Sequence, residues 1–226
     1  MQILLEIGVV LFSYVLGSIP FGLLIVKWRT GKDIRVVESG RTGGTNAMRA
    51  AGFSAGLLTA ILDVLKGAAA VWLARGIGAN VWVVCLAPIA AILGHNYSIF
   101  LIERKDGRIR LSGGAGGAPT VGGALGFWPV SFLIIVPMAA LIWFGIGYAS
   151  VTTMSMALIA IIIFAVRAAL GLSPWHYVLF GVLAELLLMW ALRPNIKRLL
   201  NGNERLHGWR AKHKHSKQSH VPITGK

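Results

Sequence analysis

Long blocks of apolar residues alternate with short polar segments along most of this chain. About 20 consecutive apolar residues suffice for a helix to cross a bilayer, and most of the blocks reach that length. The blocks therefore predict membrane-spanning helices. They run from Ile3 to Val26, Phe53 to Ala74, Ala79 to Ile102, Gly117 to Gly147, Val151 to Leu170 and Trp175 to Leu192.

The fourth block is too long for one crossing. It contains Pro129 and Pro137, and proline interrupts helices because it lacks a backbone N–H. Splitting the block predicts an all-α polytopic integral membrane protein with about seven transmembrane helices, its N-terminus outside and its tail inside. That count places the turn at 147–150 on the same side as the polar segments at 28–50 and 103–112. Five spans, with part of this block re-entrant, are the alternative.

Composition agrees with a membrane location. The 226 residues are 56% hydrophobic and only 13% charged, whereas soluble domains carry about 25% charged residues, so a water-soluble globule is excluded. The formal charge of +14 comes mainly from residues 27–49, 104–110 and 193–226. Lysine and arginine collect in cytoplasmic loops, so this charge indicates topology, and we expect no nucleic-acid partner. With Cys85 as the single cysteine, we expect no disulfide, no metal and no cofactor.

Glycine-rich and polar residues gather at the predicted cytoplasmic ends of the helices. Residues 39–49 combine glycines, whose backbone N–H groups can converge on an anion, with the side chains of Asn46 and Arg49. Residues 112–120 form a glycine-rich entry into a helix, and helix N-termini favour phosphate. Each segment also has a structural interpretation, as a basic loop on anionic lipid head groups or as small residues that permit close helix crossing.

Further polar groups lie in or beside the apolar blocks. Asp63 and Lys66 are spaced i, i+3, which favours a structural clamp on one face of a membrane helix. His95, near the cytoplasmic end of the third block, needs either a structural partner or a function. Residues 193–204 follow the last block directly and end the predicted membrane domain, 1–204. The basic tail at 205–226 is predicted to be disordered.

Six short motifs carry a family resemblance. They are G-S-I-P-F-G at 17–22, S-G-R-T-G-G-T-N at 39–46, D-V-L-K-G at 63–67, G-H at 94–95, G-Y-A-S at 147–150 and R-P-N-I-K-R-L-L-N-G-N-E at 193–204. In this order the motifs resemble those of the bacterial acyl-phosphate-dependent glycerol-3-phosphate acyltransferase family (PlsY). The resemblance extends over the chain as far as Glu204, and no single motif would be specific.

The chain departs from the family pattern at its phosphate loop. The family's K-G-G-K-G reads S-G-G-A-G at 112–116, and the family's histidine before R-x-N-I is Leu192. Arg41 stands where the family has asparagine. Because a phosphate at a low-dielectric membrane edge needs compensating charge, we expect Arg41, Arg108 or Arg110 to direct a guanidinium into the phosphate pocket.

The resemblance implies transfer of a fatty acyl group from acyl-phosphate to the 1-hydroxyl of glycerol-3-phosphate, giving lysophosphatidic acid for phospholipid biosynthesis. Acyl-phosphate, glycerol-3-phosphate and membrane lipids are the implied partners, at a site that faces the cytoplasm from the cell inner membrane. The implied catalytic residues are Ser39, His95, Ser150 and Asn195. The implied substrate- and phosphate-binding residues are Gly40, Arg41, Gly43, Thr45, Asn46, Arg49, Arg110, Gly113, Gly114, Gly116 and Lys197.

Two other classes of protein stay open. A small transporter would place charged residues at the bilayer midplane, whereas most polar residues here lie at one face. A catalytically silent homologue that binds lipid phosphate fits the changes at Ala115 and Leu192. The general base stays open between His95 and the phosphate of the donor.

Overall fold

The computed structural model describes residues 1–105 and 107–206, and the predicted disordered tail from 207 onward lies outside the described residues. Helices dominate the described part of the chain, with one short antiparallel β-hairpin. In chain order the elements are α1 Gln2–Ser18, α2 Phe21–Thr30, α3 Gly44–Ala51, α4 Phe53–Gly76, α5 Val81–Asn96, β1 Ile102–Lys105, β2 Arg108–Leu111, α6 Gly117–Phe127, α7 Val130–Ile146, α8 Ala149–Ala169 and α9 His176–Leu200.

The predicted class, a helical integral membrane protein, is confirmed. Five segments of the described chain are long and apolar enough to cross a membrane, namely Gln2–Thr30, Phe53–Gly76, Val81–Leu101, Ala149–Ala169 and His176–Leu200. The fourth apolar block is two helices that meet at Trp128 and Pro129, and α6 and α7 have only 11 and 17 residues. The count of seven is therefore approximate, with five long spans and two short ones.

The two short helices run in opposite directions between the ends of the bundle. Gly117, at the start of α6, lies against the first turns of α8, whereas Phe127 at its end stacks on Tyr177 near the start of α9. Helix α7 then returns to Tyr148, which forms a β-bridge with Leu206 beyond α9. The Tyr148 turn and the chain after α9 therefore lie together.

We call the end formed by residues 31–43, the β-hairpin, the Tyr148 turn and residues 201–206 the loop end. Arg35 Nη1 ties the first loop to the hairpin through Glu103 Oε1, at 2.7 Å. The described parts of the three basic segments thus lie at one end of the bundle, as the seven-helix count predicts. The side of the membrane that the loop end faces stays a prediction.

Three element boundaries differ from the sequence pattern. The first apolar block breaks at Ile19 and Pro20 between α1 and α2, because Pro20 has no N–H with which to continue the helical bonding. The third block ends in the unpredicted hairpin, with Ile102 in β1. Helix α9 continues through Pro194 to Leu200, so most of the segment after the last predicted span is helical.

Close helix crossings at small residues hold the bundle together. A methyl group built on Gly122 of α6 would meet the carbonyl oxygen of Val64 in α4, and one on Gly67 of α4 would meet Pro119. Backbone contact of this kind is typical of packing between membrane helices. Gly122 therefore acts as a small packing residue of α6. Pro119, within the segment 112–120, also lies in a close helix crossing, which agrees with the structural interpretation of that segment.

An aromatic cluster fills the end of the bundle opposite the loop end. Phe127 stacks on Tyr177 with ring centroids 4.1 Å apart and meets Phe164 and Phe180 edge to face. Arg75 donates hydrogen bonds of 2.8 and 3.2 Å to two carbonyl oxygens at the end of α6. These carbonyls lack intrahelical partners, so Arg75 caps the helix at this end.

Candidate active site

A cavity of about 390 Å³ opens at the loop end of the bundle. Its walls come from the loop before α3, from α3, from the middle of α4, from the end of α5, from the starts of α6 and α8, and from the C-terminal part of α9. The predicted site residues that line it are Ser39, Arg41, Gly43, Thr45, Asn46, Arg49, His95, Gly116, Ser150 and Asn195. Residues far apart in sequence thus converge on one cavity, and their individual roles stay predictions.

Arg41 reaches across the cavity from the loop before α3. Its Nη1 donates to the Gly114 carbonyl oxygen at 3.3 Å, and its Nη2 donates to the Ala191 carbonyl oxygen at 2.5 Å and to Asn195 Oδ1 at 3.3 Å. Burial lowers the pKa of this guanidinium below its usual value, and the positive charge of Arg198 lowers it further. The ordinary pKa of arginine is so far above neutral pH that the group stays charged.

Asn46 shapes the loop that carries Arg41. Its Nδ2 donates to the carbonyl oxygens of Ile34, Val37 and Arg41, at 3.2, 3.0 and 2.9 Å. An amide group has only two hydrogens to donate, so these three acceptors engage both N–H groups of the Asn46 side chain. The expected contact from the Asn46 amide to phosphate is therefore corrected to a structural role, because its donors already bind the loop.

Arg49 lies one turn further along α3 and also lines the cavity. Burial lowers the pKa of its guanidinium, and the negative charge of Glu204 acts in the opposite direction. Arg41 and Arg49 therefore bring positive charge into the cavity from both ends of the 39–49 motif.

The glycine loop before α6 contacts the end of α5 closely. Gly114 N–H donates to the His95 carbonyl oxygen at 2.8 Å, and the Gly113 carbonyl oxygen accepts a 3.3 Å hydrogen bond from Thr42 N–H. A methyl group on Gly114 would collide with the His95 ring. Gly113 and Gly114 are thus needed for close packing, and the Gly114 N–H is already bonded within the protein, which corrects its expected role in phosphate binding.

Gly116 and the residues after it face the cavity directly. Gly116 has a φ of +89°, which suits glycine, and no side chain caps the N-terminus of the 11-residue helix α6. Gly117 and Ala118 at its first turn line the cavity. The free N–H groups and the dipole of this helix end create a positive potential inside the cavity.

A buried ionic group lies at the floor of the cavity. Lys66 Nζ lies 2.8 Å from Asp63 Oδ1, and both side chains are only 1% exposed. The same carboxylate oxygen lies 3.5 Å from His95 Nδ1, and Lys66 Nζ donates to the Ile19 carbonyl oxygen at 3.2 Å. The pair has the geometry of the clamp that the i, i+3 spacing favours, and its carboxylate faces the His95 ring.

Ser150 and Asn195 lie on the α8 and α9 sides of the cavity. Ser150 Oγ is buried and has no hydrogen-bond partner among the described residues. Asn195 Nδ2 donates to Glu204 Oε1 at 2.8 Å, while Glu204 Oε2 lies 3.2 Å from Arg198 Nε. The carboxylate of Glu204 was not among the predicted site residues, although it closes the last matched motif.

The segment after α9 continues over the mouth of the cavity. Arg205 forms an ion pair with Glu38, and both residues line the cavity. Glu38 has a φ of +48°, in the left-handed region that non-glycine residues seldom adopt. The predicted boundary at 204 is therefore too early by at least Arg205 and Leu206, which contact the folded part.

Several predicted site residues lie outside the cavity. Lys197 faces a groove on the other side of α9, together with Trp190 and Arg193, because two residues along a helix turn the side chain by about 200° from Asn195. Arg110 is exposed on β2. These positions correct the predicted phosphate contacts of Lys197 and Arg110.

Gly40 and Arg108 also lie outside the cavity lining. Gly40 has a φ of +67° and forms a turn, while Arg108 is exposed on β2. Of the three arginines proposed to direct a guanidinium into the pocket, Arg41 is the one that lines it.

The fold and this cavity define an integral membrane acyltransferase. The family model described as glycerol-3-phosphate acyltransferase matches residues 7–202. The chain belongs to the glycerol-3-phosphate acyltransferase family.

Relatives and solved structures agree with this membership. A glycerol-3-phosphate acyltransferase of Rubrobacter xylanophilus is 38% identical over 208 residues, which cover 92% of this chain and 98% of that protein. One from Thermus thermophilus is 38% identical over 201 residues, covering 89% and 94%. The crystal structure of PlsY (YgiH), an integral membrane glycerol 3-phosphate acyltransferase in its glycerol 3-phosphate form, is 32% identical with a TM-score of 0.75, over 90% of this chain and 96% of that one. Its lysophosphatidic acid form is 30% identical with a TM-score of 0.71, over 90% and 95%.

Proposed function

We propose that this chain transfers a fatty acyl group from acyl-phosphate to the 1-hydroxyl of glycerol-3-phosphate, at a site that faces the cytoplasm. One observation carries the proposal, namely that a single cavity has a positively charged part and an apolar part. Arg41 and Arg49 supply the charge, and Ala60, Ala118 and Met156 supply apolar surface. A phosphorylated substrate and an acyl chain can therefore meet there, which agrees with the names of the relatives.

The donor is already activated, so the cavity needs mainly to hold the reactants together. The 1-hydroxyl oxygen attacks the acyl carbon, an ester C–O bond forms, and the bond from that carbon to the phosphate oxygen breaks. Inorganic phosphate leaves, and lysophosphatidic acid is the other product. The Ser150 hydroxyl and the N-terminus of α6 are the groups we assign to the negative charge that develops.

His95 is the side chain we assign to the hydroxyl proton, because it lines the cavity floor beside the Asp63 carboxylate. The phosphate of the donor is the other available acceptor. General base catalysis contributes about 10²- to 10⁴-fold. His95→Gln should therefore lower kcat by that factor with little change in KM for either substrate, whereas an unchanged kcat would assign the proton to the phosphate.

The test uses purified protein in detergent, with acyl-phosphate and glycerol-3-phosphate as substrates and lysophosphatidic acid as the measured product. We expect turnover with acyl-phosphate and none with acyl-coenzyme A. Turnover with acyl-coenzyme A alone would overturn the choice of donor. Binding of glycerol-3-phosphate without turnover would instead identify a silent homologue, the function favoured by the uncharged side chains of Ala115 and Leu192 in the cavity.

A further inference from the structure

We infer that Arg41 is a phosphate-binding cation of this cavity and supplies, beside the glycine loop, the positive charge that Ala115 does not carry. The inference rests on the proposed function, since it names the residue that holds a phosphate of a substrate. Position 115 lines the cavity but carries the methyl group of Ala115, and Leu192 in the opposite wall is also uncharged. The positive charge must therefore come from another part of the chain.

The basic side chains that line the cavity within the described residues differ in their partners. Arg198 lies against the Glu204 carboxylate, and Arg205 is paired with Glu38. The hydrogen bonds of Arg41 go instead to two carbonyl oxygens and an amide oxygen. These acceptors are uncharged, so they orient the guanidinium without neutralising it.

The Arg41 guanidinium lies beside the backbone of the glycine loop, next to position 115. It donates to the carbonyl oxygen of Gly114, the residue directly before Ala115. It also donates to Ala191 and Asn195 on α9, so it bridges the glycine loop and the last helix. The guanidinium is therefore held at the entrance to the N-terminus of α6, where the helix adds its own positive potential.

The guanidinium keeps donors for a ligand. Arginine has five N–H groups, and the three contacts above use at most three of them. A buried cation whose hydrogen-bond acceptors are all uncharged is costly, and a phosphate placed between Arg41 and the first turn of α6 would supply the opposite charge. Ser150, buried in the same cavity with an unpartnered hydroxyl, can supply a further donor to that anion.

The experiment removes the positive charge at position 41 and restores one at position 115. Four proteins are compared, namely the wild type, R41N, the double variant R41N/A115K, and R104N as a matched control on the exposed surface of β1. Each is assayed for kcat and for the KM of both substrates. Calorimetry with glycerol-3-phosphate and with inorganic phosphate measures binding, and thermal unfolding in detergent checks the fold.

We expect R41N to raise the KM of one phosphate substrate by about 10- to 150-fold, the range of a charge-assisted hydrogen bond. The double variant should recover to within about threefold of the wild type, and the KM values of R104N should equal those of the wild type. Unchanged KM and phosphate binding in R41N would overturn the inference. A loss that A115K does not restore, accompanied by a lower unfolding temperature, would also overturn it by assigning Arg41 a structural role.

The two proposals fail in different ways. If the wild type binds phosphate through Arg41 but turns over neither substrate, the proposed function is wrong and the inference stands. If the wild type is active and R41N keeps its kinetics and its phosphate affinity, the function stands and the inference is wrong.

Discussion

Removing one member of the buried Asp63–Lys66 pair should destabilise the protein far more than removing both. The two atoms are 2.8 Å apart and each side chain is 1% exposed, so neither charge is solvated by water. Lys66→Met leaves a carboxylate whose remaining ionisable neighbour is the His95 ring, at 3.5 Å. Breaking a buried ion pair from one side costs about 3 to 5 kcal/mol.

The magnitude follows from a double-mutant cycle. Lys66→Met and Asp63→Leu should each lower the free energy of unfolding by about 3 to 5 kcal/mol, so independent effects would total about 6 to 10 kcal/mol. The double variant replaces the pair by apolar side chains of similar size, which is often neutral or stabilising elsewhere. Replacing Lys66 also removes the donor to the Ile19 carbonyl oxygen. This loss lowers the free energy of unfolding of the double variant by about 1 to 3 kcal/mol.

The assay is reversible unfolding in mixed detergent micelles, followed by tryptophan fluorescence. Arg35→Met is the control, because Arg35 forms ion pairs of 2.7 Å with Asp33 and Glu103 whose side chains are 33 to 45% exposed. Each such exposed pair contributes about 1 kcal/mol or less. The reasoning would be refuted if the double variant lost the sum of the two single-variant losses in unfolding free energy. It would also be refuted if neither single variant lost more than the control.

Three further predictions concern packing, the cavity and pH. Gly122→Ala should cost about 1 to 3 kcal/mol through overpacking, whereas Gly8→Ala, with open space around it, should be neutral or stabilising by up to about 1 kcal/mol in the same unfolding assay. Ser150→Ala should lower kcat/KM at least about tenfold without loss of stability, since its hydroxyl has no partner among the described residues, and an unchanged kcat/KM would remove Ser150 from the site. Hydrogen bonds from Arg35 lower the pKa of Asp33. The stability from this pair should therefore be present above about pH 4 and be lost as the pH falls through the lowered pKa, by no more than about 1 kcal/mol. Thermal unfolding from pH 6 to pH 3 should show this loss in the wild type and not in Arg35→Met.

The sequence predicts the elements that local chemistry determines. Proline cannot continue a helix, so the break at Pro129 was predictable and the one at Pro20 was predictable on the same ground, although a single helix was expected there. The hairpin has four-residue strands whose pairing depends on register between them. A hydropathy pattern at this length does not distinguish such a hairpin from an irregular loop.

The sequence motifs predicted which segments form the site, but not which of their side chains point into the cavity. Lys197 and Asn195 belong to one motif, yet the continuation of α9 past the membrane block turns them to different faces. The electrostatic requirement of a bound phosphate predicted that one of three arginines would line the cavity. Only the folded loop, held by the bonds of Asn46, determines that Arg41 is the one that enters the cavity.

The depth of the cavity has a consequence for the permeability of the membrane. Asp63, which lines the cavity floor, lies about 15 Å along α4 from its first residue, and the hydrocarbon core of a bilayer is about 30 Å thick. If α4 enters the hydrocarbon core at its first residue, a cavity of that depth leaves about half of the core as the barrier to ions at this point. Helix α6, whose end carries the aromatic cluster and the Arg75 cap, occupies that half. We therefore expect the tightly packed rings to be the seal that keeps ions from crossing the protein beyond the cavity floor.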